Sequence, residues 1–279
     1  MIHIGARIVL LSALLAGCAA LAAPTTGPTA IPTLIPATAP APRTLTVFAA
    51  ASLTDAFQEI GRDFEAVHLN VTVTYNFAGS QTLHTQLNQG AIADVFASAN
   101  HPEMDGAVKD GLVAAGAPLD FVTNRLVVIV PADNPAKLQS LADLRRSGVK
   151  LVLADKTVPA GKYALQALGS MSNDPAFGSD FNTQVLANVV SYETDVKQVV
   201  AKIQLGEADA GIVYISDSIA APELKTIEIP VSFNVVASYP LAVLAQAPNP
   251  DLAAVFIAYV LSPEGQAILK KWGFTPIKP

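Results

Sequence analysis

The sequence predicts an α/β protein of two lobes, each a mostly parallel sheet flanked by helices, joined by a two-strand hinge. Three observations predict it. Short apolar, β-prone runs alternate with helix-period segments from Leu45 to Lys109, the β-α-β-α rhythm that builds parallel sheets. A longer apolar run ending at Val130 and Pro131 interrupts that rhythm, which restarts near 140. A strand at Val235–Leu244 then runs back ahead of two closing helices, so two crossings would link the halves around a cleft.

Each element has its own local signal. Leu45-Thr46-Val47-Phe48 reads as a buried strand, and Leu53, Ala56, Phe57, Ile60, Phe64 and Val67 follow at helical spacing. Ser52 and Asp55 resemble a capping box at that helix start. Val71 to Phe77 alternates as a strand with one solvated face; a helix then turns Leu83 and Leu87 inward and ends at Gly90. Ala93–Ala97 is a third strand, before a helix from about Pro102 to Lys109. Phe121 to Val130 reads as one strand. Beyond it come a helix near 140–147, strand Lys150–Ala154, a helix from Gly161, a polar loop at 169–182 and strand Val185–Val190. Val196, Val199, Val200 and Ile203 mark an amphipathic helix ahead of strand Gly211–Ile215. Leu252, Val255 and Phe256, then Ile268 and Leu269, belong to the closing helices; Pro263 starts the last and Gly273 ends it.

The chain opens with a basic start and a short apolar run, Ile8 to Leu15, ahead of Leu15-Ala16-Gly17-Cys18. That run is shorter than the roughly 20 residues of a membrane span and reads as a secretory signal. Residues 15–18 resemble a bacterial lipobox, which implies lipidation of Cys18 and an extracytoplasmic, membrane-anchored location. Cys18 is the only cysteine, so the folded body holds together without an internal disulfide. Residues 19–43 are rich in Ala, Pro and Thr and read as a disordered tether. The domain reading is therefore signal 1–18, tether 19–43, lobe 1 from 44–125 plus 237–279, and lobe 2 from 126–236. Formal charge is −6, and losing the signal with Arg7 makes it −7, which argues against nucleic acid as a partner. The membrane contact is expected through the anchor only, and a monomer is expected.

Five segments set small or hydroxylated residues where strands hand over to helices: Ala49–Leu53, Ala78–Gln81, Val158–Gly161, Glu193–Val196 and Gly211–Tyr214. Helix starts offer unpaired N–H groups and the positive end of the peptide dipoles, so they attract anions. Taken singly, Ser52 and Ser80 read more readily as N-caps than as ligands, Pro159 as an ordinary helix start and Tyr214 as a half-buried aromatic. As a set at the carboxyl ends of strands, they lie where open α/β sheets bind ligands.

Ala49-Ala50-Ala51-Ser52-Leu53, Phe77-Ala78-Gly79-Ser80, Val158-Pro159-Ala160-Gly161, Asp195-Val196 and Gly211-Ile212-Val213-Tyr214 resemble the signatures of bacterial molybdate-binding proteins of ABC transporters. Asn124-Arg125-Leu126, Tyr239-Pro240-Leu241-Ala242-Val243 and Gly273-Phe274 extend the likeness over about 44–279. The resemblance implies a type II periplasmic-binding-protein-like fold and a solute-binding lipoprotein of an importer. It implies molybdate as ligand, tungstate alongside it, and a permease with its ATPase subunit as partners. Hydroxyl and amide donors would come from Ser52 and Ser80, backbone amides from Ala160 and Val196, and a phenol from Tyr214. The tether and the loop at 169–182 depart from the family pattern.

A fully deprotonated tetrahedral dianion needs only donors, and fixed neutral donors can balance it without a counter-ion. Asp195 is expected to turn into its own helix start. His3, His68, His84 and His101 form no ligand pair at i,i+3 or i,i+4, so no metal cofactor is expected. Residues 156–163 depart from a phosphate loop at Lys156 and Tyr163, and Ser147-Gly148-Val149-Lys150 falls on a turn. An enzyme is therefore not expected. The competing readings are a sulfate or phosphate binder of the same fold and a tethered anion sensor.

Overall fold

The computed structural model describes residues 41–277; Cys18, the signal and most of the proposed tether lie outside them. Along the chain, β1 (Arg43–Ala50) passes through a 3-10 turn at Ala51–Leu53 into α1 (Thr54–Val67). β2 (Val71–Ala78), α2 (Ser80–Asn88), β3 (Val95–Ala97) and α3 (His101–Lys109) follow. β4 (Leu119–Asn124) and β5 (Leu126–Val130) precede β6 (Leu151–Ala154), α4 (Pro159–Ser172), α5 (Phe181–Leu186) and β7 (Val189–Glu193). Next come α6 (Val196–Gln204), β8 (Ala210–Tyr214), α7 (Ile215–Ile219) and β9 (Lys225–Glu228). β10 (Ala237–Val243), α8 (Pro250–Leu261), α9 (Pro263–Lys271) and β11 (Thr275–Pro276) close the chain.

These strands form two open sheets, ordered β11-β4-β10-β3-β1-β2 and β7-β6-β8-β5-β9. The sheets are mixed rather than mostly parallel. β1 runs parallel to β2 and β3, and β6 to β7 and β8, whereas β4, β5, β9, β10 and β11 pair antiparallel. A parallel neighbour needs a helical crossover within the same lobe. The two strands that arrive from the other lobe, β10 and β5, have none and run against both neighbours, which is what makes their pairs with β4 and β9 antiparallel.

The first sheet is covered on both faces. Val47 and Val95 pack with Phe57, Phe64 and Phe256 of α1 and α8, while Phe48 and Phe96 point the other way, onto Leu83, Leu87 and Met104 of α2 and α3. Phe256 meets Phe57 and Phe64 edge to face at 6.1 and 5.3 Å. Burying each such ring contributes about 1.5–3 kcal/mol, which suits a body with no disulfide among its described residues.

The structure corrects four local expectations. The run from Phe121 to Val130 is two strands in different sheets, broken at Arg125. Side chains replace the ladder at the break: Asn124 Oδ1 accepts from Arg125 N, and Asn234 Oδ1 accepts from Leu126 N. The second crossing, 229–236, contains no strand, so the hinge is one residue and one loop rather than two strands. The stretch 169–182 continues α4 to Ser172 and begins α5 at Phe181, and β7 starts only at Val189. Phe181 and Val185 are spaced i,i+4 and fully buried, which selects helix over the expected strand. Finally, Arg43 is the first residue of β1, and its guanidinium pairs with Asp251 at 2.6 Å.

Candidate functional site

Ser52, Ser80, Ala160, Val196 and Tyr214 line one small cavity between the sheets. Four of the elements that bring them there are helix starts. Ser80 is the first residue of α2, Val196 the first of α6 and Ala160 the second of α4, while Tyr214 immediately precedes α7. Ser52 lies in the 3-10 turn before α1. First-turn N–H groups have no acceptor within their own helix. Here Ala50, Gly79 and Val158, the residues before three of these turns, supply no side-chain cap. The first-turn N–H groups at Ser80 and Ala160, beside the cavity, are therefore left without a side-chain cap. Where a helix starts elsewhere, Asn100 and Ser262 do cap α3 and α9.

The capping box expected of Ser52 and Asp55 does not form. The chain makes a 3-10 turn first, which aims Ser52 inward, and α1 begins at Thr54. Ser52 Oγ lies 3.0 Å from the Tyr239 hydroxyl, and Asp55 reaches across to Lys197 instead. Ser80 is likewise no N-cap; its Oγ accepts from Ala99 N at 3.0 Å. Asp195 turns its carboxylate onto the backbone N–H of Gln198, away from the cavity. None of the cavity-lining residues carries a carboxylate.

Tyr214 is 1% exposed, and its hydroxyl has no hydrogen-bond partner among the described residues. Burial pushes its phenol well above the ordinary value, with the neighbouring Tyr239 adding to the shift. The group therefore stays protonated and able to donate. An unsatisfied buried hydroxyl costs free energy, so a buried donor pointing at nothing marks a place for an acceptor.

Small residues let the lobes meet. A Cβ on Gly79 would stand 2.6 Å from the Thr194 carbonyl of the opposite lobe, and one on Gly161 would stand 2.1 Å from the Asp155 carbonyl. Across the same junction Gln81 Nε2 donates to Thr194 O at 3.0 Å, and Asn124 Nδ2 donates to Ser216 Oγ at 2.9 Å. Lys197 Nζ reaches Asp55 at 2.6 Å and Asp217 at 3.5 Å. Burial raises the Asp217 carboxyl to about 6 despite that lysine.

Sequence reasoning passed over Ala99, Lys197, Asp217 and the role of Tyr239. Only Asp217 left a trace, as a lone acid in an otherwise apolar and hydroxylated run from Gly211 to Ala221. A larger open groove lies between Gln81, His84 and Glu103 on one side and Lys156, Lys162 and Gln166 on the other. Its polar groups sit on long side chains, without the fixed donors of the inner cavity.

A two-lobed α/β body that closes preorganised donors over an interlobe cavity is the architecture of a solute-binding protein. The chain belongs to the bacterial extracellular solute-binding protein family, whose model matches residues 45–275. The molybdate-binding protein ModA of Mycobacterium bovis is 41% identical over 233 residues, covering 83% of this chain and 84% of the relative. The substrate-binding domain of a molybdenum ABC transporter from Clostridium difficile is 32% identical, covers 84% of this chain and 99% of its own, and superposes with a TM-score of 0.62. The sulfate-binding protein SubI of Mycobacterium tuberculosis is similar in fold, with a TM-score of 0.73 at 20% identity over 85% of this chain and 88% of its own.

Proposed function

We propose that this chain captures molybdate, with tungstate as a second ligand, for an ABC importer. The carrying observation is the donor-only cavity: hydroxyls of Ser52, Ser80 and Tyr214 with first-turn amides at Ala160 and Val196, and no carboxylate among its lining residues. An anion without protons at neutral pH matches that set, whereas a hydrogenphosphate would leave its own proton facing donors. The names of the M. bovis and C. difficile relatives support the same ligand. No reaction is assigned to the site.

In this reading the ion binds to one lobe, and closure brings the amides of the other while excluding water. The ligand favours the closed form by the contacts it gains there. The lobes are 43–125 plus 237–279 and 126–236, with residues 19–42 and lipidated Cys18 holding the body to the outer face of the membrane. A permease and its ATPase receive the ion from a monomeric binding protein. Competition calorimetry with molybdate, tungstate, sulfate and phosphate tests the ligand; a preference for sulfate overturns it. Mass spectrometry of protein extracted from membranes tests the anchor, since an unmodified Cys18 in the mature chain removes it.

A further inference from the structure

Ser52 and Ser80 face the cavity in different surroundings. A hydroxyl has one proton to donate and two lone pairs to accept with. Ser80 Oγ accepts from the backbone N–H of Ala99, a group that can only donate. The Ser80 proton is therefore free to point at a ligand. Ser52 Oγ meets another hydroxyl, that of Tyr239, at 3.0 Å, and either oxygen could donate.

The surroundings choose the direction. Tyr239 is fully buried on β10, so its proton needs an acceptor within the protein. Asn124, close by, already accepts from Arg125 N with Oδ1 and donates to Ser216 with Nδ2. The Tyr214 hydroxyl is not in hydrogen-bonding geometry with any group among the described residues. Among the described residues, Ser52 Oγ is the group in hydrogen-bonding geometry with the Tyr239 hydroxyl, at 3.0 Å, and so its acceptor.

We propose that Tyr239 is a positioning residue for the bound anion: its phenol donates to Ser52 Oγ and so turns the Ser52 proton into the cavity. The inference rests on the anion-capture reading and deepens it. With Ala99 N occupying one lone pair of Ser80 and Tyr239 one of Ser52, each serine proton is left for the ligand, and both hydroxyls favour an acceptor over a donor there. Selectivity for fully deprotonated oxyanions over hydrogenphosphate or hydrogenarsenate then originates partly in a residue that does not line the cavity.

Tyr239→Phe tests this, because the ring keeps its edge contacts with Tyr214 and Phe274 and loses only the hydroxyl. Calorimetry with molybdate and with hydrogenarsenate is run on wild type, Y239F, S52A and the double variant. Y239F is expected to lose about tenfold in molybdate affinity, the scale of one hydrogen bond to a charged group. Its hydrogenarsenate affinity should fall less or rise, narrowing the preference. In the S52A background, Y239F should change neither value.

Independent, additive effects of the two substitutions overturn the inference, as does an unchanged anion preference accompanied only by a lower melting temperature. Wild-type protein that binds no molybdate sinks the functional reading itself, a separate outcome. Should Y239F not fold, 3-fluorotyrosine at position 239 keeps the hydroxyl and makes it a stronger donor. Tighter molybdate binding is then expected, and unchanged or weaker binding overturns the inference.

Discussion

Lys197 Nζ lies 2.6 Å from the Asp55 carboxylate, an ion pair that joins α6 of one lobe to α1 of the other beside the inner cavity. Asp217 adds a second carboxylate to the lysine at 3.5 Å. Lys197 directly follows Val196, which lines the cavity, so in the proposed closure the pair would form as Val196 reaches the ligand. Lys197→Met is expected to weaken molybdate binding by about three- to tenfold, as for a partly buried cross-lobe pair. The loss should shrink at high salt. Calorimetry at two ionic strengths checks both, with Asp55→Asn completing a double-mutant cycle.

The three hydroxyls predict separable effects. Ser52→Ala, Ser80→Ala and Tyr214→Phe should each weaken molybdate binding by about 1–3 kcal/mol, the range for a hydrogen bond to a charged partner. Wild-type affinity in all three would remove the site.

Tyr214→Phe carries a second expectation that the serines do not share. Its hydroxyl is buried without a partner among the described residues, so deleting it should leave the melting temperature of ligand-free protein unchanged or raised. The same variant should gain less thermal stabilisation from added molybdate than wild type does. Thermal melts with and without molybdate decide the point.

Asp217 predicts a pH dependence. Its carboxyl is raised from 3.8 to about 6 because burial disfavours the charge more than Lys197 favours it. The folded state therefore holds this proton more tightly than the unfolded state does. The resulting stability is fully present below about pH 4 and is lost as pH rises through about 6. Wild type should lose stability relative to Asp217→Asn across that window, and melts from pH 4 to 7 will show whether the difference moves.

Gly161 predicts a packing defect. An added Cβ would stand 2.1 and 2.3 Å from the carbonyls of Asp155 and Ala154, rigid backbone rather than a side-chain tip. Gly161→Ala should lower stability by about 1–3 kcal/mol, the cost of overpacking, read as a lower urea midpoint. Gly79→Ala instead meets the opposite lobe, at Thr194, and should reduce affinity more than stability.

What was legible in the sequence is what local chemistry encodes. Small residues and hydroxyls beside helix starts announce unpaired amides, and the strand-helix rhythm announces the layers. The Lys197–Asp55 pair, 142 residues apart, left no local mark, and Asp55 read as half of a capping box because its true partner is distant. Arg125 was hidden for a related reason: one apolar run crosses from sheet to sheet without changing composition. Strand direction in β5 and β10 depends on the route between lobes, which periodicity does not record.

Asn234 binds Leu126 at both ends of its peptide unit, accepting from its N–H at 2.9 Å and donating to its carbonyl at 2.8 Å. The two connections are thereby tacked to each other, like facing leaves stitched along a spine. In the proposed capture, such a joint would favour swinging over sliding, returning Ala160 and Val196 to the same station opposite Ser52 and Ser80. Leu126 is the register partner of Tyr214, so one carboxamide ties the crossing to the strand that carries the phenol.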